Sequence, residues 1–256
     1  TLEAIDSRVD ADSLNLKVRF QFPNPQRLLR PGMLMQVTLP FASEPLPLIP
    51  LQAVEFQGSD RFVYLLGPAH WRPVDGVGLP RATAFATPLG TVEVAADRVA
   101  HLLRRGGQYH LNEAAHLPEH GLEVQLPFLQ VMLPAFTIVP MLFDDGADPE
   151  RTAADLAALL EGSPNDLIVV SSDLSHYHSY QEAIILDNGL LKAIATGDIA
   201  AANGGEACGL LPILSLMRVA QHFGWTPHLC AYANSGDTCG SKREVVGYGA
   251  VVYTEG

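Results

Sequence analysis

The run Leu167-Ile168-Val169-Val170-Ser171-Ser172-Asp173-Leu174-Ser175-His176-Tyr177-His178 decides how the rest of the chain is read. Its first four residues are apolar, three of them β-branched, with no polar residue between them. A short unbroken apolar run that ends in a polar cluster has the form of a buried strand, and such strands belong to sheets covered by helices. Phe62-Val63-Tyr64-Leu65-Leu66, closed by Gly67-Pro68, repeats the pattern, and Phe136–Phe143 reads as a further strand. Two last strands fall at Leu229–Ala233 and Val245–Tyr253.

Between these strands lie stretches of helical period. Ala95–Arg105 carries Val99, Leu102 and Leu103 on one face and stops at Gly106-Gly107. Leu122, Leu126, Leu129 and Leu133 form another apolar face, which Pro127 must kink or restart. Asp148-Pro149 supplies an N-cap and a first-turn proline for a helix through Leu156, Leu159 and Leu160 to Gly162. Ala183–Ile194 and Leu210–Phe223 follow, the second closed by Gly224. Strand alternating with helix gives an α/β domain, a mostly buried sheet flanked by helices.

Composition narrows the function classes. Of 256 residues 48% are hydrophobic and 17% charged, which supplies a core and argues against a disordered chain. Sixteen basic against 28 acidic residues give a net charge of -12, so there is no Lys/Arg surplus to neutralise phosphates, and nucleic acid is a poor partner. Apolar runs fall well short of the roughly 18 residues of a membrane span. Thr1–Asp6 has neither a basic nor an apolar signal region, so no export signal is expected here; without a start Met the chain reads as a fragment or processed product. Three cysteines, Cys208, Cys230 and Cys239, fit reduced thiols better than a disulfide framework. The expected location is the cytoplasm, with the periplasm as the alternative if the N-terminal part decides.

That N-terminal part differs from the rest. Residues 1–60 contain no His and no Cys, whereas all nine His and all three Cys lie after residue 66. Leu14, Leu16, Val18, Phe20 and Phe22 alternate with polar residues, as do Met33, Met35, Val37 and Leu39 with their neighbours. Turns fall at Pro23-Asn24-Pro25 and Arg30-Pro31-Gly32, and Ala53-Val54-Glu55-Phe56 adds a short apolar piece. Strands punctuated by Pro and Gly point to part of a small antiparallel barrel, an all-β appendage over 1–60 ahead of an α/β domain over 61–256.

In an α/β sheet ligands gather in the loops that follow the strands. Polar clusters fall at such places: Gly67-Pro68-Ala69-His70-Trp71, Ser171 to His178, and Asn234-Ser235-Gly236-Asp237. Glu119-His120 with Glu123, and Ala207-Cys208-Gly209, open helical stretches. The functional case rests on His70, His120, Asp173, His176 and Cys208 converging. Each also has an ordinary explanation: a loop hydrogen-bonder, a cap, a small apolar filler. His110 and His116 sit in polar loop, and His222 and His228 read as surface or strand-edge residues. His-Glu-x-x-His, Gly-x-Ser-x-Gly, Walker, Cys-x-x-Cys and dinucleotide-binding patterns are absent, which argues against the hydrolase triad and nucleotide classes.

Two family resemblances follow from ordered blocks. Asp6–Val18, Asn24-Pro25, Leu29-Arg30-Pro31-Gly32-Met33, Val37-Thr38-Leu39 and Ile49-Pro50-Leu51-Gln52-Ala53-Val54 resemble the β-barrel region of periplasmic adaptors of efflux pumps, the membrane fusion proteins, over about residues 1–65. The helical hairpin and lipoyl-like domain of those adaptors are absent. Gly67-Pro68-Ala69-His70, Thr87-Pro88-Leu89-Gly90, Glu119 to Phe128, Val169 to Tyr177, Ala207-Cys208-Gly209, Tyr232 to Asp237 and Val246 to Ala250 are similar, in order, to the Memo family (AmmeMemoRadiSam system protein B) over 61–253. That resemblance implies a fold like the class III extradiol dioxygenases and a pocket binding iron or copper. It implies metal ligands His70 and Cys208, with His176 as general acid or base and Asp173 or His120 supporting. The family's opening Pro-His-Ala-Gly-Tyr block, source of its first His ligand, has no counterpart here, so an incomplete site is expected.

Two function classes follow. One is a Memo-like protein with redox or dioxygenase-related chemistry on an unidentified small molecule. The other is a non-catalytic binding protein, or a fusion relic of an adaptor, which self-associates through its N-terminal β segment.

Overall fold

The computed structural model describes residues 2–9, 16–20, 23–25, 61–133, 135–238 and 241–255. The chain divides into two compact units, Thr1–Leu48 and Ile49–Gly256. In the first, β1 (Leu2–Val9) pairs antiparallel with β2 (Leu16–Phe20), Leu2 opposite Phe20 and Val9 opposite Leu16. β2 lies inside the alternating stretch; β1 was not expected, because Leu2–Val9 does not alternate cleanly. The expected strands at Met33–Leu39 and Ala53–Phe56 and the turn at Arg30-Pro31-Gly32 lie outside the described residues.

The second unit has the expected α/β character. In chain order it contains β3 (Phe62–Pro68), β4 (Val77–Leu79), β5 (Ala84–Thr87), β6 (Gly90–Glu93), α1 (Ala96–Arg105), β7 (Tyr109–Leu111) and α2 (Glu113–His116). A 3-10 turn, Glu123–Gln125, leads into α3 (Leu126–Met132), then β8 (Thr137–Phe143), α4 (Pro149–Leu160), β9 (Leu167–Val170) and β10 (His176–His178). α5 (Tyr180–Ala195), α6 (Ile199–Ala202), α7 (Leu210–Phe223), β11 (Thr226–Asn234), α8 (Ser235–Thr238) and β12 (Val245–Thr254) complete it.

One sheet has the order β7-β4-β8-β3-β9. β3 lies parallel to both neighbours, with Leu66 opposite Met141 on one side and Val170 on the other. Its alternate side chains feed two cores. Tyr64 and Leu66 pack with Leu102 of α1, Leu156 of α4 and Val219 of α7; Val63 and Leu65 pack with Ala115, Leu122 and Leu126. These β3 residues are fully buried, each worth about 1.5–3 kcal/mol for the larger side chains. A second sheet, β10-β12-β11, is antiparallel. It joins α5, α6 and α7 in a third core around Leu190, Leu191, Leu214 and Met217. α7 thus contributes to the cores of both sheets.

Local chemistry accounts for the boundaries. Asp148 caps α4 by accepting from Glu150 and Arg151 N–H, with Pro149 in the first turn. Pro127 also stands in a first turn, so α3 restarts there after the 3-10 turn. α5 begins three residues before the expected Ala183, because Ser179 and Glu182 form a capping box. β9 is half-buried where full burial was expected, since it is an edge strand with β3 as its single partner. His116 does not lie in polar loop: it is buried in α2, with Nε2 3.0 Å from the Gly78 carbonyl oxygen. No helix among the described residues is long and apolar enough to cross a membrane.

Candidate metal centre

The carboxyl ends of β3 and β9 bring their loops side by side. Ala69 N–H donates to the Phe143 carbonyl, and Ser171 N–H to that of Leu66, so His70 and Asp173 both start from well-pinned backbone. His70 is then held by a residue the sequence reading left without a role. Glu119, whose side chain is 2% exposed, accepts from His70 N–H and from its ring Nδ1, each at 2.8 Å. Oε1 of Glu119 also accepts from the backbone N–H of His120 and Gly121 at 3.0 and 2.9 Å. This carboxylate fixes the ring's tautomer and leaves Nε2 as the nitrogen for other partners, the usual second-layer support of a metal-binding imidazole. A Glu beside a His at a helix start looks like an ordinary end residue in sequence, so only the adjacency to His120 hinted at it.

Electrostatics agree with that geometry. A hydrogen bond with Cys208, then one with Glu119, push the His70 pKa up to about 10 against the opposing effect of burial. Burial is the largest influence on Glu119 and opposes its ionisation. The hydrogen bonds from His70 and Gly121 outweigh it and hold the carboxyl down at about 2. His120 stacks on His70 with ring centres 5.2 Å apart, and the Trp71 indole N–H reaches His120 Nδ1 at 3.5 Å.

Cys208 comes from the turn before α7. Its N–H donates to the Asp173 carbonyl at 3.2 Å, while its Sγ accepts from Asp173 N–H at 3.1 Å. Gly209 N–H donates to Ser172 Oγ at 2.8 Å. A Cβ at Gly209 would stand 2.7 Å from Ser172 Cβ and 3.0 Å from the Ser171 carbonyl oxygen, so this approach requires glycine. His176 follows on β10, opposite Val246 of β12, with Nε2 3.6 Å from Asp173 Oδ2. Glu206, also overlooked in sequence, accepts from His176 N–H and pairs with His178 Nε2 at 2.9 Å. Buried Asp187 holds the loop from below, accepting from Ser175 N–H and the Tyr232 hydroxyl.

All five residues singled out by sequence therefore lie in one neighbourhood. Two groups have donor atoms within 4.8 Å of one another: His70, Glu119 and His120; and Asp173, His176 and Cys208. Imidazole, thiolate and carboxylate together suit iron, copper or zinc better than magnesium or calcium, so the donor chemistry fits the expected ion class. An open cavity of about 350 Å³ adjoins His70, bordered by Trp71, Arg72, Asp75 and Asp144.

An α/β domain with His and Cys donors at the strand ends is the class that fold and site define. Residues 45–252 match the family described as Memo-like protein, and this chain belongs to that family. A MEMO1 family protein of Aeropyrum pernix is 38% identical over 205 residues, 74% of this chain and 71% of the relative. One from Sulfolobus acidocaldarius is 32% identical over 216 residues, 78% and 74% of the two chains. Residues 1–43 match the CusB-like beta-barrel domain, in keeping with the adaptor resemblance. Among solved structures, an uncharacterized protein of Escherichia coli K12 covers 73% of this chain and 84% of its own, at 14% identity and TM-score 0.40.

Proposed function

We propose that the unit built on β3 and β9 is a metal-dependent small-molecule site, in which His70 and Cys208 hold an iron or copper ion. The observation that carries this reading is the buried Glu119 carboxylate locked on His70 Nδ1, which leaves Nε2 as the ring nitrogen for another partner. An ion bound there supplies redox or dioxygenase-related chemistry. Glu119 orients the His70 ring. His120, His176 and Asp173 surround the position as groups that bind or move protons, and the cavity beside Trp71 admits the substrate. The unpaired thiols Cys208 and Cys230 suit a reducing compartment, which favours the cytoplasm.

Metal content per chain, measured by elemental mass spectrometry after anaerobic purification and separate loading with iron and copper, tests this. About one ion per chain, lost in His70→Ala and Cys208→Ser, is the expected result. No retained ion in the unaltered protein would overturn it. A second reading, a binding protein or relic of an adaptor fusion, is favoured by one observation: where the family's opening His block belongs, residues 1–43 match a CusB-like barrel. On this reading the boundary we propose, near residues 60–61, is the join between the two modules.

A further inference from the structure

We infer that Asp173 and His176 bind the ion directly, completing with Cys208 a three-donor face that replaces the His ligand this chain lacks. The inference rests on the metal-site reading above and reassigns two residues from proton transfer to coordination. Residues 1–69 contain no His, so this stretch offers no imidazole in the place of the family's opening block. The second donor group supplies the replacement: a carboxylate oxygen of Asp173, a ring nitrogen of His176 and Sγ of Cys208 all lie within 4.8 Å of one another.

The separations suit chelation. Four-coordinate sites with bonds of about 2.0–2.3 Å place neighbouring donors roughly 3.3–3.8 Å apart. Asp173 Oδ2 and His176 Nε2 already stand at 3.6 Å. The three donors are also pre-positioned by backbone. Asp173 and Cys208 are clamped by their reciprocal hydrogen bonds, Cys208 N–H to the Asp173 carbonyl and Asp173 N–H to Sγ. His176 is fixed by Glu206 and by its register with Val246. Side-chain exposures of 48% for Asp173 and 29% for His176 leave an entry path for the ion. His70 interacts with the same cysteine but belongs to the neighbouring donor group, with Glu119 and His120. A carboxylate, an imidazole and a thiolate favour a borderline divalent ion such as Fe(II) over Cu(I), which prefers soft sulfur ligands.

The test is titration of the full chain with Co(II), read by the thiolate-to-cobalt charge-transfer band and by visible absorption intensity, which reports four-coordination. Unaltered protein should show both, and Cys208→Ser should abolish the charge-transfer band, which excludes Cys230 and Cys239 as its source. His176→Ala and Asp173→Asn should keep the band but weaken cobalt binding by tenfold or more and change the visible spectrum. Even outer contacts to a ligand are worth about 10–100-fold. Circular dichroism of each metal-free variant, with Asp173→Asn as the isosteric change, separates lost ligation from lost folding. Wild-type affinity and spectrum in both variants would overturn the inference while leaving the metal-site reading intact. Absence of a thiolate band in the unaltered protein would overturn both.

Discussion

The buried carboxylate of Glu119 receives four N–H groups: two from His70 and one each from His120 and Gly121. Replacing one carboxylate oxygen by an amide puts an N–H donor where an N–H already points, so Glu119→Gln leaves buried donors unsatisfied. We expect a loss of about 1–3 kcal/mol in chemical unfolding, together with weaker metal retention; unchanged stability would refute the bracing role. Asp144 offers a parallel case on the rim of the cavity, where its carboxylate accepts from the N–H groups of Val74, Asp75, Gly76 and Gly146. Burial opposes its ionisation, yet these four bonds hold its pKa below 3.8. The unfolded chain therefore binds more protons at acid pH. Asp144's stabilisation is complete above about pH 4 and disappears as pH falls through its lowered pKa. Asp144→Asn should lower stability at neutral pH and flatten the acid limb, as measured by urea unfolding at a series of pH values. Sequence singled out His70, His120, Asp173, His176 and Cys208 because such donors stand out beside apolar strands, and the fold places them in two adjacent groups. It concealed Glu119 and Glu206, since a buried acceptor and a surface acid read the same until their partners are placed.

Elements were legible in proportion to their length. α1, α4 and α7 carry several turns of apolar period with Gly or Asp-Pro at their ends, and their expected limits agree closely with the observed ones. β4 and β7 have three residues each and β5 and β6 four, too few for alternation to register. The short α2 shows what this conceals. His116 is buried there beside Gly78, and burial lowers its pKa below 6.5. Its folded form resists protonation that the unfolded chain accepts, so stability falls as pH drops below about 6.5 toward the lowered value. His116→Gln retains a donor for the Gly78 carbonyl and should reduce the slope of stability against pH in that window; an identical slope would count against the assignment. At the turn into α7, Gly209→Ala should cost about 1–3 kcal/mol by overpacking against Ser172 and should disturb the pairing of Cys208 with Asp173.

At the scale of the whole molecule, all three described core clusters are built from residues of the second unit. A chain starting at Ile49 should therefore melt within about 4 °C of the full protein, the shift that 1 kcal/mol produces in a domain of this size, and should take up the same metal. A much larger drop in calorimetry would mean that the first unit contributes to the fold. The α/β class was readable because buried strands and amphipathic helices each leave a pattern within one element. The partnership between β10 and β12 leaves no such trace, as it joins residues about seventy positions apart. β12 is the middle strand of its sheet, and Gly247 within it exchanges hydrogen bonds with Leu174 and Ser175, the residues between Asp173 and His176. During synthesis the ribosome delivers the Asp173–His176 loop long before the strand that fixes it. Each nascent chain must therefore carry that loop unbraced until Gly247 has cleared the exit tunnel, and only then can the proposed centre take its finished form.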